Sequence, residues 1–375
     1  MRAAAHLTVD VRKAFDAGIG TYIRNVVPRV LDRLGADVQV AAVVAADHPG
    51  DFDWLTPTAV QRVPVRAAPM GWAEQIELRR RIVPGTLFWA TSLAHPLWRR
   101  GPLVATVYDV AQLALGRSEG MPTLVAWAAK AMLTSQRQHA SALMAISEFT
   151  RGEFIRYVGT PACGGIDVTP LGVDSLWFGA AQGAYAPGER PYFVCVGSVR
   201  PHKNIARLLQ AFAAVAGRIP HDLVVAGLGS RRGEHSEWHA ALPMAVQPRV
   251  RFAGFVQEAA LRDLVAGADA LVFPSLYEGF GLPALEAMAA GCPVLSSDAG
   301  ALPEVCAGAA AAYFDPRSVE QMGQAMVRHA HLASGERLSI VERGIAHAQR
   351  FTWERTADLA AQTIESVLRR IGKAA

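Results

Sequence analysis

No stretch of this 375-residue chain reaches the roughly 18 uninterrupted apolar residues that a membrane-spanning helix needs, so no span is expected. The opening MRAAAHLTVDVRK has a short apolar run and soon meets a charge, so it is not read as a signal peptide. Cysteine is scarce. The 4 present, Cys163, Cys195, Cys292 and Cys306, are scattered and form no Cys-x-x-Cys pair. That argues against a disulfide framework or a cysteine-held zinc site and fits a reducing cytoplasm. A dominant charge is also missing: 37 Lys and Arg face 33 Asp and Glu, a net +4 with pI near 9.0. So small an excess makes no case for nucleic acid. It suits an anionic small ligand or an anionic membrane surface equally. His235 and His239 share i,i+4 spacing, but without a further ligand no metal site is expected.

What is present is half hydrophobic, 51%, with 19% charged, the balance of a globular enzyme long enough for two domains. Strand-like runs alternate with helix-like segments, which predicts α/β layers with parallel sheets. Strands are expected at 38–46, 103–110 and 142–147, then at 192–198, 222–227, 250–255, 270–275 and 293–297. Over 20–35, Ile23, Val26, Val27, Val30 and Leu31 fall on one helical face, and Gly35 ends the helix. The aperiodic AQGAYAPGERP at 181–191, rich in Gly and Pro, reads as a linker. Two doubly wound domains joined there would bind ligands at the carboxyl ends of their strands.

The stretch SLYEGFGLPALEAMAAGCP, Ser275 to Pro293, sets Glu278 and Glu286 eight positions apart with Gly279, Gly281 and Pro283 between them. Ser275 ends an apolar strand, the glycines bend the backbone, and Pro283 suits a first helical turn. Free N–H groups and the positive end of the helix dipole then point at the strand's carboxyl edge, which suits phosphate. Two carboxylates nearby suit sugar hydroxyls. The unit fits a sugar joined to a nucleotide through phosphates.

In this setting the E-x7-E pattern resembles that of the retaining glycosyltransferases of family 4, which have the GT-B fold. Further segments follow in family order over nearly the whole chain: GIGTY from Gly18, ISEFTR from Ile146, TPLGVD from Thr169, VGSVRPHKNIARLLQAF from Val196, RFAGFV from Arg251, DAGALPEV from Asp298 and FTWERTA from Phe351. The resemblance implies an α/β fold of two Rossmann-like doubly wound domains facing a cleft. Residues 1–180 would take the acceptor, 181–191 would link, 192–355 would take the nucleotide sugar, and 356–375 would return as a helix to the first domain.

By the same resemblance, Glu278 lies by the donor sugar and Glu286 binds the ribose. Backbone N–H groups around Phe280, Gly281 and Leu282 meet the diphosphate, and Lys203 stabilises charge growing on it. Where many relatives carry arginine this chain has Ser198. Arg200 is the substitute candidate, a solvated loop arginine being the other reading. Asp109 ends a strand where the family has His-Asp. Tyr108 replaces that histidine and carries no positive charge, so it either holds the sugar or packs. Gly18 and Gly20 resemble the loop that approaches donor and acceptor, with Asp16 just ahead. Phe255 and Val256 either meet the base or, for Phe255, belong to the core. Glu304 either lines the donor site or caps a helix. The segment 227–233 matches no complete dinucleotide fingerprint and reads as a loop.

The expected partners are a nucleotide-sugar donor and a glycan or lipid-linked acceptor, with no cofactor, no metal and no nucleic acid. The basic segment Trp72–Val83, with Trp98, Arg99 and Arg100, offers contact with an anionic membrane or else the charged face of a core helix. The competing functions are an epimerase or phosphorylase of the same fold, and a degenerate protein that only binds nucleotide sugar.

Overall fold

The computed structural model describes residues 5–16, 18–35, 38–47, 52–55, 60–97, 101–115, 123–179, 190–198, 200–227 and 234–374. The chain divides into two compact units, Met1–Gly172 with Thr352–Ala375, and Val173–Phe351. Most of the expected linker, together with Trp98, Arg99, Arg100 and residues 228–233, lies outside the described residues.

The first unit holds β1 (Ala5–Asp10), β2 (Val38–Ala45), β3 (Gln61–Val65), β4 (Leu87–Ala90), β5 (Leu103–Val107), β6 (Ala142–Ala145) and β7 (Ile166–Val168). They pair in parallel in the order β3-β2-β1-β4-β5-β6-β7. Its helices are α1 (Ile19–Leu34), α2 (Trp72–Arg81), α3 (Ala111–Ala114), α4 (Thr123–His139) and α5 (Glu148–Tyr157). The face of α1 expected to be buried is buried, and Gly35 leaves the helix at φ 74°. The C-terminal helix (Trp353–Ala374) belongs to this unit and lies along α1, with Arg29 on Glu354 at 2.9 Å and Arg33 on Asp358 at 2.5 Å.

The second unit holds β8 (Tyr192–Val196), β9 (Asp222–Ala226), β10 (Val250–Gly254), β11 (Ala270–Phe273), β12 (Val294–Ser297) and β13 (Ala312–Phe314). Their parallel order is β10-β9-β8-β11-β12-β13. Its helices are α6 (Ile205–Val215), α7 (Glu234–Ala240), α8 (Glu258–Ala266), α9 (Leu282–Ala289), α10 (Leu302–Cys306), α11 (Val319–Ala330) and α12 (Ser334–Ala348). Each sheet winds outward from its first strand and then reverses, so each has a switch point: β1 beside β4, and β8 beside β11. Ligand sites of doubly wound sheets form at the carboxyl ends of the strands there.

The expected strands are all present. Five more, β1, β3, β4, β7 and β13, were not expected. Three of them, β4, β7 and β13, have only three or four residues, and four apolar residues such as LFWA carry no period that separates strand from helix. No described helix is long and apolar enough to cross a membrane.

Candidate active site

The second unit's switch point brings the loop after β8 against the loop after β11. Asn204 joins them. It adopts a left-handed backbone at φ 60°, and its side-chain amide donates to the carbonyls of Pro274 at 2.9 Å and Pro316 at 2.7 Å. The Leu276 amide donates to the His202 carbonyl at 2.7 Å. Lys203, at the end of the short turn Pro201–Lys203, is thereby held against Glu278, Nζ to Oε1 2.7 Å. Side-chain exposures of 17% and 12% leave the pair partly shielded yet reachable from solvent. Nζ also lies 5.8 Å from the Phe273 ring centroid.

Glu278 is fixed from its other side by Gly300. That residue sits at φ 64°, and a Cβ there would stand 2.6 Å from the Glu278 nitrogen. The Ala301 amide donates to the Glu278 carbonyl at 3.0 Å. Next, Gly281 at φ 108° caps α9, with the Leu302 side chain filling the space a Cβ would need. Pro283 occupies the first turn. The amides of Gly281 and Leu282 donate to no acceptor among the described residues, which leaves the positive end of α9 free at this edge. Phe280 is buried, its ring 6.1 Å from that of Phe351.

Glu286 lies one turn into α9, half-buried, with no hydrogen-bonded partner among the described residues. Burial pushes its carboxyl up to about 8, and the like charges of Glu258 and Asp174 add to the shift. Glycines end the three strands on this side. The Gly197 amide donates to Ala226 at 3.0 Å and the Gly227 amide to Gly254 at 2.8 Å. A Cβ on Gly227 would stand 3.2 Å from the Gly197 oxygen, so the close approach requires glycine. Just beyond, Phe255 is 82% exposed, which rules out the core reading, and Val256 is half-buried. Ser198 and Arg200 are both exposed at the same edge, and the Arg200 guanidinium has no partner among the described residues. Glu304 sits exposed in the first turn of α10.

The first unit's edge is more enclosed. Gly18 caps α1 at φ 69° in open space, whereas Gly20 packs against the Ala14 carbonyl. Asp16 is exposed and accepts from Lys13 at 2.7 Å. Tyr108 is packed: its ring meets Tyr22 edge to face at 5.4 Å and its hydroxyl donates to the Thr91 carbonyl at 2.9 Å. Burial raises both phenols well above their ordinary range. Asp109 turns back to accept from the Ala111 amide at 3.0 Å, which starts α3. Tyr108 and Asp109 line a small cavity of about 60 Å³.

Residues 190–331 match the family described as "Glycosyl transferases group 1". An Escherichia coli O-antigen chain mannosyltransferase B is 32% identical over 226 residues, 57% of this chain and 58% of that protein. A Segniliparus rotundus D-inositol 3-phosphate glycosyltransferase is 28% identical over 94% of this chain and 85% of its own length. The structure of Anabaena Alr3699/HepE, solved in complex with UDP-glucose, superposes with TM-score 0.72 at 17% identity over 96% of this chain and 99% of that one. The fold is GT-B, and residues 190–331 resemble a group 1 glycosyltransferase domain. The match to the mannosyltransferase spans somewhat over half of that relative's length.

Sequence reasoning passed over three features of this chain. Asn204 lies within the segment VGSVRPHKNIARLLQAF, but its tie to two distant carbonyls has no local signature. Gly300 matters only because the Glu278 backbone crosses it. The third feature is a buried ion cluster in the first unit. Arg12 pairs with Asp10 through Nε at 2.9 Å and through Nη2 at 2.6 Å, and the same Nη2 lies 2.6 Å from Glu74. All three side chains are nearly inaccessible, and burial raises the Glu74 carboxyl despite the arginine. Glu74 also accepts from the Met70 amide at 2.6 Å, and its neighbour Gln75 accepts from the Leu97 amide at 2.7 Å. Thus α2, read from sequence as a basic segment, buries Glu74, Gln75 and Leu78. It leaves Trp72 and Ile76 outside, near the basic run Arg79–Arg81 and exposed Val83. His239 bonds the Gln247 carbonyl at 3.0 Å.

Proposed function

We propose that this protein is a retaining hexosyltransferase. It would move a sugar, mannose foremost, from a nucleoside diphosphate to a hydroxyl of a glycan or lipid-linked acceptor in surface-polysaccharide assembly. The observation that carries the reading is the Lys203–Glu278 pair, 2.7 Å apart beside the free amides of α9. An ammonium has three donors and a carboxylate two acceptor oxygens, so each group keeps capacity for a ligand while the pair holds. Lys203 and the amides of α9 would face the diphosphate, Glu278 the sugar hydroxyls, Glu286 the ribose, and Phe255 and Val256 the base. Arg200 would add a phosphate contact where Ser198 offers no charge.

In the reaction, the bond from the anomeric carbon to the phosphate oxygen breaks and a bond to the acceptor oxygen forms on the same face. The acceptor proton passes to the departing phosphate. Charge grows on the diphosphate, and Lys203 with the helix terminus stabilises it in place, which makes a metal ion unnecessary. The E. coli mannosyltransferase supports the lean to mannose, and the UDP-glucose complex of the Anabaena protein supports a nucleotide-sugar donor. The exposed Trp72 and Ile76 beside Arg79–Arg81 support peripheral contact of a cytoplasmic enzyme with an anionic membrane that presents the acceptor.

The test is incubation of the purified protein with GDP-mannose, UDP-glucose and dTDP-rhamnose plus membrane extract. Nucleoside diphosphate release and product anomer are read by NMR, with and without EDTA. One donor turned over with retention, unchanged by EDTA, is expected. Inversion, or a requirement for metal, would refute the mechanism. Binding without turnover of any donor would favour a binding protein.

A further inference from the structure

We propose that the second unit carries an anion site, separate from the Lys203–Glu278 edge, that takes the phosphate group of a small phosphorylated molecule. The site is an open cavity of about 310 Å³ lined by Ala307, Gly308 and Ala309 after α10, and by Arg343, Ala346, His347 and Arg350 at the end of α12. It lies toward the opposite edge of the sheet. α10 starts beyond the carboxyl end of β12 and runs back, and the turn 307–309 leads to the amino end of β13.

The lining has two guanidiniums and no carboxylate. Three other arginines of the unit have acids: Arg337 pairs with Asp269, Arg262 with Glu258, and Arg249 with Asp222. Arg343 and Arg350 are exposed and have no hydrogen-bonded or ion-pair partner among the described residues. Two like charges aimed at one cavity, without a counterion from the protein, favour a bound anion. The other polar groups are already used. The Ala307 amide donates to Pro303 at 3.1 Å, Ala309 to Cys306 at 2.7 Å, and Gly308 to the Tyr313 hydroxyl at 3.3 Å. His347 Nε2 is bonded to the Val305 carbonyl at 2.7 Å. Recognition therefore falls to the two guanidinium forks, whose planar donor pairs match phosphate oxygens. Ala346, small and in the lining, leaves the floor open. The volume stands at the lower end for small-molecule sites, the scale of a sugar phosphate rather than a nucleotide sugar.

Calorimetric titration with inorganic phosphate at low salt tests this in the full chain. A Lys203→Ala background weakens the donor edge, and whatever phosphate binding remains there is common to both variants. The expected result is binding in Lys203→Ala that weakens by about tenfold or more in Lys203→Ala/Arg343→Ala/Arg350→Ala and on raising the salt. Both arginines are exposed, so melting temperatures should match and exclude misfolding. A second arm replaces phosphate with phosphatidylcholine vesicles containing phosphatidic acid, which separates a free phosphorylated ligand from a lipid headgroup. Absence of phosphate binding in the Lys203→Ala protein, equal binding with and without the arginines, or arginine-dependent binding to vesicles alone would each overturn the proposal.

Discussion

On the proposed function, Glu286 is a residue whose protonation donor binding would change. Its carboxyl is raised to about 8, so at pH 7 the free protein holds it mostly protonated. Ribose hydroxyls would donate to the ionised form and pull the value down. Donor binding at pH 7 is therefore expected to release a fraction of a proton. Calorimetry in buffers of different ionisation enthalpy would show it, and Glu286→Gln would abolish it. For folding alone the sign is opposite to that of a salt-bridged acid. The folded state binds more protons between 4.5 and about 8, so this residue's contribution declines as pH rises through that window. Arg12 makes a different residue-scale prediction. Arg12→Met leaves Asp10 and Glu74 as buried, unpaired acids, and should cost about 3–5 kcal/mol in denaturant unfolding, with partial recovery in Arg12→Met/Glu74→Gln.

At the scale of elements, the candidate site is a set of strand ends and the glycines that let loops cross them. Gly300→Ala forces a methyl group against the Glu278 backbone at a positive φ. It is expected to destabilise by about 1–3 kcal/mol and to lower turnover more than nucleotide affinity, as read by paired kinetics and calorimetry. Much of this was legible in the sequence. The apolar face of α1 follows a 3.6 period, and Gly279, Gly281 and Pro283 can only mark a loop entering a helix. Local patterns, however, report local geometry. β4 and β13 are too short to carry a period. Asn204 has meaning only through Pro274 and Pro316, which stand 70 and 112 positions away. The reading of α2 as a basic segment missed that its hidden face carries Glu74 and Gln75, because a buried Glu74 depends on an arginine just beyond the end of β1. Phe255 illustrates the converse: an aromatic in a strand-like run reads as core until the sheet edge shows it exposed.

At the scale of the molecule, the second unit sets a buried charge cluster at the edge of its sheet opposite the candidate site. Behind the second unit's candidate site, at the amino edge, His221 and His329 flank Asp269, with Nε2 of His221 2.8 Å from its carboxylate and Nε2 of His329 2.9 Å from its carbonyl. Arg337 occupies the other carboxylate oxygen. Burial lowers both histidines to about 4, the positive charges of Arg337 and Arg249 adding to the effect at His221. The unfolded chain takes up protons below about 6.5 that the folded chain refuses, so the contribution of these two histidines should fall as pH drops from 6.5 towards 4, against the opposite and smaller trend from Glu286. Denaturant midpoints across that range check it, and His329→Gln should flatten the slope. The central claim is that Lys203 and Glu278 act as one device on a nucleotide-sugar donor. The direct measurement is a double-mutant cycle in transfer rate. Lys203→Ala and Glu278→Ala are each predicted to lower kcat by about 10²–10³, and the double variant to be little worse than the weaker single. Wild-type rates in either single variant, or fully multiplicative losses in the double, would contradict it.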